Sequence, residues 1–403
     1  MEAEIEFIPE GTVTSPEGFQ AGATCAGIKR EASQDLDLGI LFSEAPCMTT
    51  ALFTTNKVKA APLVLSQERL QRGRAVAVVV NSGCANAFTG EQGLKDAAEM
   101  AGLAAGRVRV SPEDVLVAST GVIGEQLPME LIRAGISKVV LSADGGHALV
   151  KAMMTTDTVP KEVAVRVSDS GFTIGGVVKG SGMIHPNLAT MLCFLATDAA
   201  VDLNFLKVAL SKAVDISFNM VSIDGDTSTN DMVLIMANGL AGNKLISSES
   251  WQAEIFQQAL DRVCIYLAKA MARDGEGASK LIEVTVRGAP GVAEARLAAR
   301  TIVGSPLVKT AVYGCDPNWG RVVAAAGRSG VEVAESKIDL SIGGIGMVMG
   351  GAHQPFDKNA AVEVLRGSEV SIDLNLNLGT ASATAWGCDL SEKYVVINSQ
   401  YTT

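Results

Sequence analysis

The chain has 403 residues, of which 48% are hydrophobic but only 4% aromatic, and it carries a formal net charge of −11. That length corresponds to about two to three domain-sized units, with cores that Val, Ile, Leu, Ala and Met must fill. The acidic balance, without any Lys/Arg cluster, argues against nucleic acid or anionic membrane as a partner, because phosphate binding needs basic surface.

No run of about 18 apolar residues is present to span a bilayer. The opening MEAEIEFIPEG lacks the basic and apolar regions of a signal peptide. Seven widely spaced cysteines with no CxxC predict reduced thiols and a cytoplasmic setting. Three scattered histidines, His147, His185 and His353, predict no metal site.

In chain order, Ala75–Val80 (AVAVVV) reads as a fully buried strand. Glu91–Ala105 is helical, with Leu94, Ala97, Met100 and Ala101 on one face. Val115–Ala118 is a second buried strand, running into a turn at Thr120-Gly121. Met129–Val140 and His147–Met154 read as helices, and Val163–Val167 with Phe172–Val178 as a hairpin. Met191–Ala196 is another apolar strand. Leu203–Phe218 and Trp251–Met271 have helical apolar spacing, with strands between and after them at Met232–Ala237 and Leu281–Val286. A helix at Ala293–Ile302 precedes one at Val322–Ala326 that starts from the Asn318-Trp319-Gly320 turn. The last predicted strands are Ile338–Ile342, Val370–Leu374 and Tyr394–Asn398. This mixture predicts an α+β or α/β layering rather than one parallel sheet.

The segment most informative about chemistry is KGSGMIHPNLATML, Lys179 to Leu192. A Thr hydroxyl is a poor nucleophile without a base. Cleavage between Ala189 and Thr190 would give Thr190 its own α-amine, whose reference pKa of about 7.7–8.0 lets it accept a proton near neutrality. Two glycines and a proline shape the approach to that bond, and the apolar run after it would anchor a new N-terminus. On spacing alone, a Thr beside apolar residues is ordinarily just a strand residue. Thr120-Gly121 can aim a hydroxyl and a backbone N–H at a developing oxyanion, or simply end a strand. Lys179 can lower the pKa of a nearby amine, or be a solvated loop lysine. Glu276, in DGEG, can grip an ammonium, or be a charged residue after a long helix. DGDTSTND (Asp224–Asp231) lacks the twelfth-position Glu of a calcium loop and reads as a structural hydrogen-bonding turn near the active site. GGIGMVMGG (Gly343–Gly351) has neither GxGxxG nor GK[ST], so its glycines read as turn residues.

KGSGMIHPNLATML occurs together with STGVIG (Ser119–Gly124), MTTDT (Met154–Thr158), DGDTSTND, DGEGASKLIEV (Asp274–Val284), GCDPNWGR (Gly314–Arg321) and the terminal NSQYTT (Asn398–Thr403). This set, in this order, closely resembles the ornithine acetyltransferase family, the glutamate N-acetyltransferases of the cyclic arginine pathway. The resemblance implies a layered α+β sandwich of helices and sheets in a self-cleaving enzyme of the N-terminal-nucleophile kind, cut into fragments 1–189 and 190–403 that stay associated as a heterotetramer of two of each. It implies Thr190 as nucleophile, Thr120 and Gly121 as oxyanion donors, and Thr156, Lys179, Thr190, Glu276, Asn398 and Thr403 as substrate-binding residues. The substrates implied are N2-acetylornithine and glutamate, with no metal or organic cofactor, and with acetyl-CoA as a further donor where the enzyme is bifunctional. Cys84, in NSGCANAFTG, departs from the Asn that family members often carry there. Two other readings stay open on the residues alone: an N-terminal-nucleophile aminopeptidase or amidase that passes the acyl group to water, and an uncleaved binding protein of the same fold.

Overall fold

The computed structural model describes residues 4–29, 34–168, 171–185 and 191–400. Among these, the strands form two sheets, one of nine strands and one of seven. The first is built around Leu192–Thr197, which pairs antiparallel with Phe172–Lys179 and parallel with Met232–Ala237. Its sequence, LCFLAT, is apolar throughout because both faces are covered. Side chains alternate between two cores, with Leu192, Phe194 and Ala196 in one and Cys193 and Leu195 in the other.

Met232–Ala237 is followed in the sheet by the long strand Leu38–Phe53, then by Arg74–Cys84 and Val115–Val122. The helices Ala61–Arg69 and Gly90–Val108 pack on this end. In the second sheet, Leu281–Ala289 lies between Glu369–Asn375 and Ala381–Cys388. The helix Ala253–Arg273 joins the two halves, since it packs on Lys161–Val167 and Phe172–Lys179 of the first sheet and on Leu281–Ala289 and Ala381–Cys388 of the second. Beside it runs Leu203–Ile216, started by Asp202, whose side chain accepts from the Asn204 and Phe205 amides at 3.0 Å.

The α+β layered architecture is the one expected, and most predicted elements stand within a few residues of their expected bounds. One expectation fails in type. Tyr394–Asn398, predicted as a strand, lies inside the helix Glu392–Gln400. No sheet edge receives it, Val395 and Val396 stay exposed, and the Ser391 hydroxyl accepts from the Lys393 amide at its start. β-branched residues favour strands only when there is a neighbour to pack against. The predicted helix at Met129–Val140 stops at Ile136. The 16-residue strand Leu38–Phe53 is absent from the sequence reading because Ser43, Glu44 and Pro46 interrupt its apolar pattern. The structure absorbs them in an irregularity between Phe42 and Cys47.

Candidate active site

Val115–Val122 lies parallel to Arg74–Cys84 and brings Gly121 opposite Gly83. Gly121 has φ +128°, and a Cβ there would meet the Gly83 carbonyl carbon at 2.3 Å, so only glycine fits. Thr120, just before it, is 7% exposed, and its hydroxyl accepts from Lys179 Nζ at 3.3 Å. Lys179 ends its strand 4% exposed. Burial pushes its ammonium below the ordinary lysine range, against the charges of Asp157, Asp231 and Glu276.

A buried ionic cluster supports the floor. Lys161 Nζ sits 2.6 Å from Asp157 and 2.5 Å from Asp274. Asp157 also accepts from the Gly180 amide at 2.7 Å, and Asp274 from the Thr158 amide at 3.0 Å. Burial alone would raise the Asp157 carboxyl; the Lys161 and Lys179 charges and its hydrogen bonds win and hold it down at about 2. The cluster thereby ties the Thr156 segment to the strand end at Lys179 and to the turn carrying Glu276. The Thr156 hydroxyl shares a 2.7 Å hydrogen bond with Ser181, whose carbonyl accepts from the Glu276 amide at 2.8 Å. Gly182 is packed so tightly on Glu276 that a Cβ would lie 2.4 Å from its carboxyl carbon. Glu276 is 8% exposed and accepts from Asn398 Nδ2 at 2.7 Å.

Thr120, Gly121, Thr156, Lys179, Glu276 and Asn398 thus line one cavity, although they span 279 positions of sequence (398 − 120 + 1). Three predicted site residues, Ala189, Thr190 and Thr403, lie outside the described residues. The chain flanking the first two reaches the same place: Leu192 pairs with Lys179, and Met191 is buried.

The cavity is also lined by Ser228, Thr229 and Asn230 of DGDTSTND. The hydrogen-bonding turn expected there is present, with Asp224 accepting from the Met183 and Ile184 amides at 2.5 and 2.9 Å. Sequence reasoning placed this turn near the site but gave none of its residues a role. The signal was the density of short polar side chains just ahead of a wholly apolar strand. Cys315 is absent from the cavity lining, although the fold brings Lys280 Nζ to 3.0 Å from its sulfur. Among the described residues no helix is long and apolar enough to cross a membrane.

The ArgJ family profile matches residues 20–403. The chain belongs to the ArgJ family. It is 51% identical to the arginine biosynthesis bifunctional protein ArgJ of Dehalococcoides mccartyi, over all of both chains. It is 53% identical to that of Symbiobacterium thermophilum, over 98% of this chain and 99% of the relative. The crystal structure of ArgJ from Bacillus halodurans is 47% identical and superposes with a TM-score of 0.50, covering 51% of this chain and 96% of that one. The family resemblance seen in the motifs is therefore borne out. This chain is an enzyme of arginine biosynthesis, a glutamate N-acetyltransferase.

Proposed function

We propose that this cavity performs ping-pong acetyl transfer from N2-acetylornithine to glutamate through an acetyl-threonine intermediate. The observation that carries the reading is the convergence of an oxyanion pair, a buried lysine and a buried carboxylate on one cavity beside the chain that enters Leu192–Thr197. Cleavage between Ala189 and Thr190 yields fragments 1–189 and 190–403. The Thr190 α-amine then takes the hydroxyl proton as Oγ attacks the acetyl carbonyl. The oxyanion draws on Thr120 and Gly121. The proton passes to the departing ornithine amine, leaving an acetyl ester on Thr190. In the second half-reaction the glutamate amine attacks that ester, its surplus proton returns through the Thr190 amine, and N-acetylglutamate leaves.

Glu276 is suited to the side-chain ammonium of the ornithine part. Thr156, Lys179, Asn398 and Thr403 serve the remaining polar groups. A Lys179 ammonium near the Thr190 amine would favour the neutral, proton-accepting form of that amine, because a nearby positive charge disfavours a second one. The reaction as written calls for no metal or organic cofactor, and acetyl-CoA is a second donor in a bifunctional enzyme. We place the enzyme in the cytoplasm as a heterotetramer of two fragments of each kind. Support for cleavage also comes from the Bacillus halodurans chain, which is matched over 96% of its length yet accounts for only 51% of this one, so that it is about half as long.

Mass spectrometry of the purified protein tests the reading. Two fragments ending at Ala189 and beginning at Thr190 are expected, with an acetyl group added to the second after mixing with N2-acetylornithine. Thr190→Ala should remain one inactive chain. Equal cleavage in that variant would point to an outside protease, and free acetate in place of N-acetylglutamate would make the enzyme a hydrolase.

A further inference from the structure

The proposed cleavage creates a problem of alignment. Thr120 and Gly121 belong to fragment 1–189, whereas the nucleophile belongs to fragment 190–403, so noncovalent contacts alone can hold the reacting atoms in line. Two adjacent residues of the DGDTSTND loop meet this need. Asn230 is 5% exposed, and both N–H bonds of its side-chain amide are used: Nδ2 donates to the Ser119 carbonyl at 2.8 Å and to the Ala85 carbonyl at 2.7 Å. Ser119 is the residue before Thr120, and Ala85 follows the strand Arg74–Cys84 on which Gly121 rests. The Asn230 carbonyl oxygen accepts from the Thr229 hydroxyl at 2.6 Å, which fixes the amide's orientation.

Asp231, next in the chain, is 1% exposed, and its Oδ1 accepts from the Met191 amide at 2.9 Å. That amide nitrogen is bonded to residue 190, and the nitrogens of consecutive residues lie within about 3.7 Å of each other in any conformation. The Met191 carbonyl in turn accepts from the Met232 amide at 3.0 Å, so the residue after Asp231 holds the same peptide from its other side.

We propose that Asn230-Asp231 is the spacer that sets the oxyanion donors against the nucleophile, Asn230 gripping the strand ahead of Thr120 and Asp231 the amide one residue beyond Thr190. Both are positioning residues, and the proposal rests on Thr190 being the nucleophile. The two grips share one peptide unit, so a shift at either end moves one fragment's reacting group relative to the other's. Burial holds the Asp231 carboxyl well above the usual range, against the Met191 amide and the Lys179 charge. Accepting from the Met191 amide is a task that an amide oxygen can take over.

The test uses opposite outcomes from two near-isosteric exchanges in the full chain. Asp231→Asn keeps an acceptor for the Met191 amide and should cleave and turn over within a few-fold of wild type. Asp231→Ala lacks the acceptor. Asn230→Asp keeps at most one donor for the two carbonyls, and only when protonated. It should lower kcat by about 10²-fold, the cost of roughly an ångström of misplacement, with KM within about three-fold, and Asn230→Ala should behave alike. The double alanine variant should lose less than the product of the single losses, as expected for residues acting as one device. Intact mass reports cleavage, steady-state acetyl transfer reports kcat and KM, and thermal unfolding checks the fold.

Wild-type kcat in Asn230→Asp, or a loss in Asp231→Asn equal to that in Asp231→Ala, would overturn the proposal. If Asn230→Asp does not fold, the Asp231 pair decides alone. A wild type that cleaves but transfers no acetyl group overturns the acetyl-transfer reading, and the order of cleavage rates among the variants then judges the spacer. A wild type found intact overturns the nucleophile reading, and the spacer with it.

Discussion

The two walls of the cavity are built differently. One wall carries Thr120, Gly121 and Lys179 on strand ends of the nine-stranded sheet, where Gly121 packs on the Gly83 backbone and Thr120 meets the buried Lys179 side chain. The other carries Asn398 on Glu392–Gln400, a helix with no buried residue that reaches the site through side-chain hydrogen bonds of Asn398 to Glu276 and of Tyr394 to Asp224. Strand ends in a packed core hold atoms to within fractions of an ångström, as oxyanion stabilisation demands. A helix resting on the surface can shift with what is bound, as recognition tolerates. The difference suggests that chemistry belongs to the first wall and substrate discrimination to the second, with Glu276 between them.

The most damaging way to break this division is to undermine the rigid wall from below. Lys161→Met leaves Asp157 and Asp274 buried without their shared cation. A loss of about 3–5 kcal/mol is expected, measured by denaturant unfolding. The same cluster gives the wild type an acid-sensitive component. Asp157 is depressed in the folded protein to about 2, so its contribution is complete above the ordinary Asp range near 4 and is lost as pH falls toward about 2. A variant of wild-type stability would mean that the floor of the site does not depend on this cluster.

Thr120→Ala sharpens the comparison at the next level. Loss of an oxyanion donor should lower kcat by about 10²–10³-fold with little change in KM. Wild-type kcat in this variant would remove the side chain from the chemistry and leave the Gly121 amide.

The smaller effects are expected at Glu276, between the walls, and the smallest at the second wall itself. Glu276→Gln weakens a charge-assisted contact worth about 1.5–3 kcal/mol. Acetylation of Thr190 by N2-acetylornithine should therefore slow by about 10–150-fold, and more than acetylation by an uncharged donor. Asn398→Ala removes a bond worth about 0.5–1.5 kcal/mol, less than about 15-fold, seen in KM. If Asn398→Ala lowers kcat as far as Thr120→Ala does, the division between the walls is wrong.

Much of this protein was legible before any coordinates. Apolar runs such as AVAVVV and MLCFLA identify strands buried on both faces, because no other element hides an unbroken apolar stretch of that length so readily. Long amphipathic spacing identifies the helices Leu203–Ile216 and Ala253–Arg273. The motif set was enough to name the family and the six cavity residues that the structure brings together. What sequence could not decide is anything set by contact between distant segments. Tyr394–Asn398 has the composition of a strand but pairs with no described strand and forms a helix instead. Leu38–Phe53 has interrupted patterning and became a central strand because neighbours on both sides pair with it. Lys161 carries no mark in the sequence and is buried between two carboxylates contributed 117 positions apart (274 − 157). The placement of Asn230 and Asp231 across the two prospective fragments is of the same kind. Local periodicity and motif wording report which atoms the chain supplies, whereas hydrogen-bond partners and burial depend on which remote segment fills the space opposite, and only the folded structure decides that.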